Sequence, residues 1–252
     1  MQQLESTEKK DIIEHAARKI VIIYEPGKTT LTAQDEQLLN AYLRLHDFEE
    51  KLMATANELF RDFGPVSKKI NNLKEELKNV QATFDECLLL ADKLCAVNYE
   101  TDEASLEELG KNQEQASKVI FAYNEEIMKV YKKTESLSKR VEQYNEASED
   151  EANSLYDEFS KISTDHSINW QNNAIDIAAF EDEYEDFDSY RTVSEKRRES
   201  LMNFCDATSN DYVTLGLQTN SLYAVWKEFL KRCQLLRSTA ELHTAALRFT
   251  NN

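Results

Sequence analysis

Glycine and proline are scarce in this sequence, with 4 Gly and 2 Pro in 252 residues, where average usage would give roughly 18 and 13. Sandwiches, barrels and doubly wound sheets turn every ten residues or so and draw on glycine and proline to do it, so the shortage excludes them. Long apolar runs are missing too. None approaches the roughly eighteen residues needed to span a bilayer, and the N-terminal stretch has no secretory apolar core. The four cysteines, Cys87, Cys95, Cys205 and Cys233, form no Cys-x-x-Cys pair. They read as small core-filling residues, not metal ligands or disulfides, and predict a reducing, cytoplasmic setting. Positive charge is also short: 30 Lys and Arg face 47 Asp and Glu, a net charge of -17. Such a chain repels phosphate backbones, which argues against nucleic acid as a partner. The imbalance is local, because residues 149–188 hold 13 acidic side chains and one base, Lys161.

What remains is apolar periodicity. Apolar residues make up 41% of the chain, enough for a core, and they recur with alternating spacings of four and three, the signature of packed helices. Leu38, Tyr42, Leu45, Glu49, Leu52, Ala56, Leu59 and Phe63 form one seam, with Glu49 its single polar slot. Val66, Ile70, Leu73, Leu77, Val80, Phe84, Cys87, Ala91 and Leu94 form a second with no polar slot. Further seams run from Leu106 to Tyr144 and from Tyr212 to Thr250, the latter placing His243 in a core slot. Extra apolar residues beside each seam widen the stripes beyond a two-stranded coil. The sequence therefore predicts an all-α fold, an elongated, coiled-coil-like antiparallel bundle of about five or six helices over residues 31–252, preceded by an N-terminal amphipathic helix and turn over residues 1–30.

Boundaries come from capping patterns. Thr32-x-x-Asp35, Ser105-x-x-Glu108 and Ser148-x-x-Glu151 each match the box in which two residues satisfy each other's orphan backbone donors. Gly64-Pro65 reads as a hairpin turn between two helices of similar length, although the seam continues through it from Phe63 to Val66 as it would in one kinked helix. The polar cluster Ser163 to Asn169 weakens the next helix, and the phase resumes at Trp170, Ile177, Phe180, Tyr184 and Phe187.

Tests for chemistry return no catalytic residue, no cofactor and no metal, and the chain is read as non-enzymatic. Gly27-Lys28-Thr29 lacks the first glycine of a phosphate-binding loop, since Ile22 stands in its place. No histidine follows a glutamate at the Glu-x-x-His spacing of di-iron bundles. The acidic run Glu181, Asp182, Glu183, Tyr184, Glu185, Asp186, Phe187 and Asp188 lacks the glycine a calcium loop needs. Three consecutive polar core slots follow it, Arg191, Ser194 and Arg198. They cannot sit in a dry core, so they predict either a helix projecting past its neighbours or cover by a partner or a second copy.

These features predict a scaffold or adaptor acting by helix–helix contact, within a complex or as a homodimer. Its expected partner-binding residues are Glu181 to Asp188 with Arg191, Arg197 and Arg198, and its expected partner is a basic protein. The alternative rests on basic clusters at Lys129, Lys132, Lys133, Lys139 and Arg140 and at Lys196, Arg197 and Arg198, beside the N-terminal helix. The set of long helices resembles, in architecture alone, the crescent-shaped bundles of the BAR superfamily. That resemblance implies a peripheral protein that senses or shapes anionic bilayers, gripping lipid at about 1 kcal/mol per basic residue.

Overall fold

The computed structural model describes residues 11–15, 18–22, 25, 27–28, 30–96 and 103–250. Three long helices dominate: α1 (Ala33–Ala96), α2 (Glu103–Ile168) and α3 (Ile177–Thr250). A single 3-10 turn, Trp170–Asn172, links α2 to α3. The helical-bundle expectation holds, but with three α-helices among the described residues in place of five or six.

Two of the missing breaks have a physical explanation. Gly64-Pro65 lies inside α1, so the expected hairpin is one continuous helix. Gly64 does not adopt positive φ, which in this chain is confined to Gly27 among the glycines. Pro65 forfeits one backbone hydrogen bond, whereas a turn there would have broken a seam whose flanking slots, Phe63 and Val66, are both buried. Ser148 likewise lies within α2, its hydroxyl donating to the Asn145 carbonyl at 2.8 Å instead of capping a new helix. Helix α2 starts at Glu103, two residues ahead of the Ser105 box, and runs through the Ser163 to Asn169 cluster until Ile168. The Thr32 box forms as expected: Thr32 Oγ1 accepts from the Asp35 backbone N–H at 3.2 Å, and Asp35 Oδ2 accepts from the Thr32 backbone N–H at 2.7 Å.

The N-terminal helix is also corrected. Asp11–His15 (β1) and Arg18–Ile22 (β2) pair as antiparallel strands, with Ile12 opposite Val21 and Glu14 opposite Lys19. Ile20 lies in β2 opposite Ile13, so the partner that makes it a strand stands immediately before it in the sequence. Close to the hairpin, Gly27 takes φ of 86° in a turn closed by the Lys28 N–H on the Glu25 carbonyl at 3.0 Å.

The chain divides into two compact units, each built from a section of all three helices. Unit 1 comprises Met1–Phe60 and Lys139–Asn203, and unit 2 comprises Arg61–Ser138 and Phe204–Asn252. In both, cross-links between α1 and α3 keep a nearly constant sequence offset, 140 residues for Asn57–Arg197 in unit 1, and 137 and 140 for Lys74–Asp211 and Asp92–Arg232 in unit 2. Within each unit α1 and α3 thus run parallel, and α2 runs antiparallel to α1, since its partners fall in number as those of α1 rise: Arg44 with Glu158 and Glu58 with Arg140 in unit 1, Lys69 with Glu126 and Cys87 with Asn112 in unit 2.

In unit 1, Leu38, Tyr42, Leu45, Phe159, Ile175 and Phe187 form the apolar core, with Phe180 and Tyr184 packed against it. Tyr42 meets Phe180 and Phe187 edge-on at 5.5 Å, and Phe159 stacks on Tyr184 at 5.0 Å. Unit 2 is drier. All nine seam residues from Val66 to Leu94 are buried, and Phe84 packs edge-on to Trp226 at 5.0 Å. The late seam ends earlier than its periodicity suggests, because Leu236 is buried while His243 and Leu247 are exposed. His243 is therefore not a core residue.

Candidate functional site

The polar groups of unit 1 lie in two levels. At the first, Asp35 and His166 are wholly buried, and His166 Nε2–H donates to Asp35 Oδ1 at 2.7 Å. Asp35 Oδ2 also accepts from the Thr32 hydroxyl at 2.8 Å and the Ala174 N–H at 2.9 Å, while Oδ1 accepts from the Ile175 N–H at 3.2 Å. One carboxylate thus joins the start of α1, the end of α2 and the α2–α3 turn. Burial by itself would raise the Asp35 pKa, but donation from His166, Thr32 and Ala174 outweighs it and holds the group at about 2. Around it, Glu25 N–H donates to the Ala174 carbonyl at 2.8 Å, Lys28 Nζ donates to the Gln171 carbonyl at 2.5 Å and also to that of Asn173, and Asn173 donates to the His166 carbonyl at 3.2 Å. Lys28, from the failed phosphate-loop motif, works here as a clasp on turn carbonyls.

An Asp–His pair invites comparison with a catalytic dyad. The comparison stops at the second nitrogen: His166 Nδ1 is buried and has no hydroxyl or thiol within hydrogen-bond reach, whereas a general base needs a proton to take. Cys87, Cys205 and Cys233 are buried, Cys95 is exposed, and all four are free. Burial raises the Cys87 thiol and pushes Cys233 up to about 11, the opposite of a reactive cysteine. Among the described residues, no group of three His, Cys, Asp or Glu side chains is arranged to hold a metal.

The second level explains the three polar slots of α3. Glu49, the one polar slot of the α1 seam, has 0% exposure and accepts from Tyr156 OH at 2.9 Å, with Arg198 at 3.9 Å. Ser194 is buried on α3 at an offset of 145 residues from Glu49, and Arg191 lies over the Tyr156 ring at 4.8 Å. Burial first, and then the Glu49 carboxylate, drives the Tyr156 phenol far above its usual range. The helix does not project there: Arg198 faces Glu49 of α1, and Arg191 lies over the Tyr156 ring of α2 while pairing with Asp188 and Glu195 of its own helix, whereas the buried Ser194 hydroxyl has no hydrogen-bond partner among the described residues. Glu49 was visible in the sequence only as a lone defect. No spacing in the sequence sets these residues level, since Glu49 and Arg198 are 149 residues apart, outside the 137 to 140 of the other α1–α3 links.

The structure separates the remaining expected contact residues into engaged and open sets. Phe187 is buried and Tyr184 half-buried, both facing the core. Asp188 pairs with Arg191 at 3.3 Å, and Arg197 lies over the Phe60 ring at 3.9 Å while donating to Asn57 at 2.8 Å. Glu181, Asp182, Glu185 and Asp186 are exposed, and none forms a salt bridge among the described residues; the Glu183 side chain lies outside them. Exposed carboxylates in unit 2 contrast with these four: Glu107, Glu114, Glu126 and Glu228 each hold a lysine between 2.7 and 3.7 Å away.

No family model matches the chain, and no characterised protein matches it in sequence. Among solved structures it is similar to a computationally designed three helix bundle, at 12% identity and a TM-score of 0.35, with 82% of this chain and 96% of that one covered. A likeness this loose carries no argument about function. No described helix is long and apolar enough to cross a membrane.

Proposed function

We propose that the protein is a non-enzymatic scaffold or adaptor whose unit 1 receives a basic protein segment on the open acidic face at the start of α3. The observation that carries this reading is the separation of labour within Glu181 to Asp188. The aromatics at 180, 184 and 187 pack into the core and fix the helix, leaving Glu181, Asp182, Glu185 and Asp186 outward without intrachain cations. Carboxylates held rigidly and left unneutralised attract a cationic partner over about one Debye length and fix its register at contact. Arg191, Arg197 and Arg198 leave the expected contact set, since each already serves unit 1 internally.

The test is titration of a basic amphipathic helical peptide against the whole chain, followed calorimetrically at low and at physiological salt. Binding that weakens with salt, and falls roughly tenfold or more when Glu181, Asp182, Glu185 and Asp186 become Gln or Asn, supports the reading. Binding indifferent to those four substitutions overturns it. The bilayer alternative has lost its N-terminal amphipathic helix to the β1–β2 hairpin. Its remaining arm is sedimentation with anionic vesicles, and pelleting abolished by Lys132→Glu, Lys133→Glu and Lys196→Glu would establish it in place of the adaptor reading.

A further inference from the structure

A groove of about 450 Å³ lies between α1 and α2 in unit 2, walled by Val80, Val119, Ala122 and the Tyr123 ring, with Glu76 and Glu126 beside them. The two carboxylates differ. Glu126 is held by Lys69 at 2.9 Å and by Lys129 at 2.7 Å. Because α1 and α2 are antiparallel, one heptad forward from Lys69 and one heptad back from Glu126 lead to Glu76 and Val119, so the row that pairs Lys69 with Glu126 sets Glu76 against an apolar side chain. Its own helix supplies no base either, since the positions three and four residues away are Asn72, Leu73, Asn79 and Val80. Glu76 forms no salt bridge among the described residues. Its charge still bears on the groove: burial, partly offset by Thr219, lifts the Tyr123 phenol to about 12, and the Glu76 carboxylate adds to that rise.

We propose that this groove binds a small amphipathic cation, an apolar amine whose hydrocarbon body lies on Val80, Val119 and Ala122 and whose ammonium group meets Glu76. The chemistry of the walls selects that occupant. A neutral hydrocarbon would cover the apolar wall but strip water from an unpaired carboxylate with nothing to compensate it. An anion would meet the same charge. A partner helix would need apolar surface beyond the groove, and the outward positions around it are polar and exposed: Asn72, Glu75 and Asn79 on α1, Lys118, Glu125 and Lys129 on α2. A volume of about 450 Å³ suits a small ligand, and an apolar wall with one polar group to fix orientation is how such sites are built.

The experiment titrates hexylammonium, 1-hexanol and hexanoate in turn into the whole chain with isotope-labelled valine and alanine methyl groups, circular dichroism confirming that every variant folds. Hexylammonium produces saturable shifts at Val80, Val119 and Ala122, 1-hexanol binds roughly tenfold more weakly because it brings no charge to Glu76, and hexanoate does not bind. Glu76→Gln weakens hexylammonium roughly tenfold and leaves 1-hexanol unchanged. Val119→Lys repeats the Lys69–Glu126 arrangement one heptad on, gives Glu76 a base of its own and abolishes amine binding. An absence of saturable shifts at these methyls, equal binding of amine and alcohol, or indifference of the amine to Glu76→Gln overturns the proposal. Amine binding persists when Glu181, Asp182, Glu185 and Asp186 become amides; its loss there would place the amine on unit 1 and overturn the proposal as well. Because the groove and the acidic face lie in different units, either result leaves the adaptor reading to its own titration.

Discussion

Units 1 and 2 are sections of the same three helices, yet they divide polarity in opposite ways. Unit 1 places ionisable groups inside, with Asp35 and His166 at one level and Glu49 at another, and leaves carboxylates unpaired outside. Unit 2 fills its α1 seam with apolar residues throughout, pairs many surface charges and carries most of the exposed large apolar side chains, nine of the twelve found. An apolar heptad seam stabilises strongly but tolerates slippage, because each turn resembles the next. A buried ionic contact adds little net stability while allowing one alignment only. The contrast suggests a division in which unit 2 supplies cohesion and unit 1 supplies register.

The sharpest way to break this contrast is to remove its most connected group. Asp35→Ala strands the His166 ring and the N–H groups of Ala174 and Ile175, and is expected to cost about 3–5 kcal/mol. Phe84→Ala in unit 2 is expected to cost a similar 3–5 kcal/mol through an aromatic cavity. Hydrogen exchange separates the two, since protection falls first around residues 33–45 and 159–175 for Asp35→Ala, and first around residues 77–91 and 222–233 for Phe84→Ala. Uniform loss throughout the chain in both variants would deny the units their distinction.

Acid makes the same cut reversibly. The Asp35 carboxyl lies near 2 in the folded protein against an ordinary 3.8. A depressed folded pKa contributes stability that is complete above about pH 4 and lost as pH falls towards 2, amounting to about 2 kcal/mol. Denaturant titrations at pH 5, 3 and 2 should show this loss in the wild type and not in Asp35→Asn, whose amide does not titrate. A smaller effect concerns the outside of unit 1. Converting Glu181, Asp182, Glu185 and Asp186 to their amides relieves repulsion among exposed groups, and is expected to raise stability by less than about 1 kcal/mol at low salt and not at all at high salt.

What the sequence disclosed follows the range of the interactions. Seam residues from Leu38 to Phe63 and from Val66 to Leu94 were legible because burial repeats with the helix period, and every one of these slots is buried. The Thr32–Asp35 box was legible because both partners lie within one turn. Gly64-Pro65 carries turn chemistry inside an uninterrupted seam, and packing on both sides of it outweighs one lost hydrogen bond. The second role of Asp35 lay out of sight, as His166 is 131 residues away. Glu49, Tyr156 and Arg198 were hidden for the same reason, each appearing singly as a flaw or a surface group until three distant segments are placed side by side.

That layer offers the finest test of the contrast, because the expected change in stability is close to zero. Glu49→Leu alone leaves the Tyr156 hydroxyl without its acceptor and the Arg198 guanidinium without its counter-charge, and should cost about 2 kcal/mol. Glu49→Leu, Tyr156→Phe and Arg198→Leu together remove every partner and supply apolar volume, so unfolding free energy should return to within about 1 kcal/mol of wild type or exceed it. If the layer exists to set register, the triple variant regains stability without regaining order. Its amide resonances around residues 45–52, 152–159 and 191–198 should broaden through exchange among alignments, while those of unit 2 stay sharp. Sharp resonances throughout would assign the layer no specifying role and make the polar interior of unit 1 a tolerated cost.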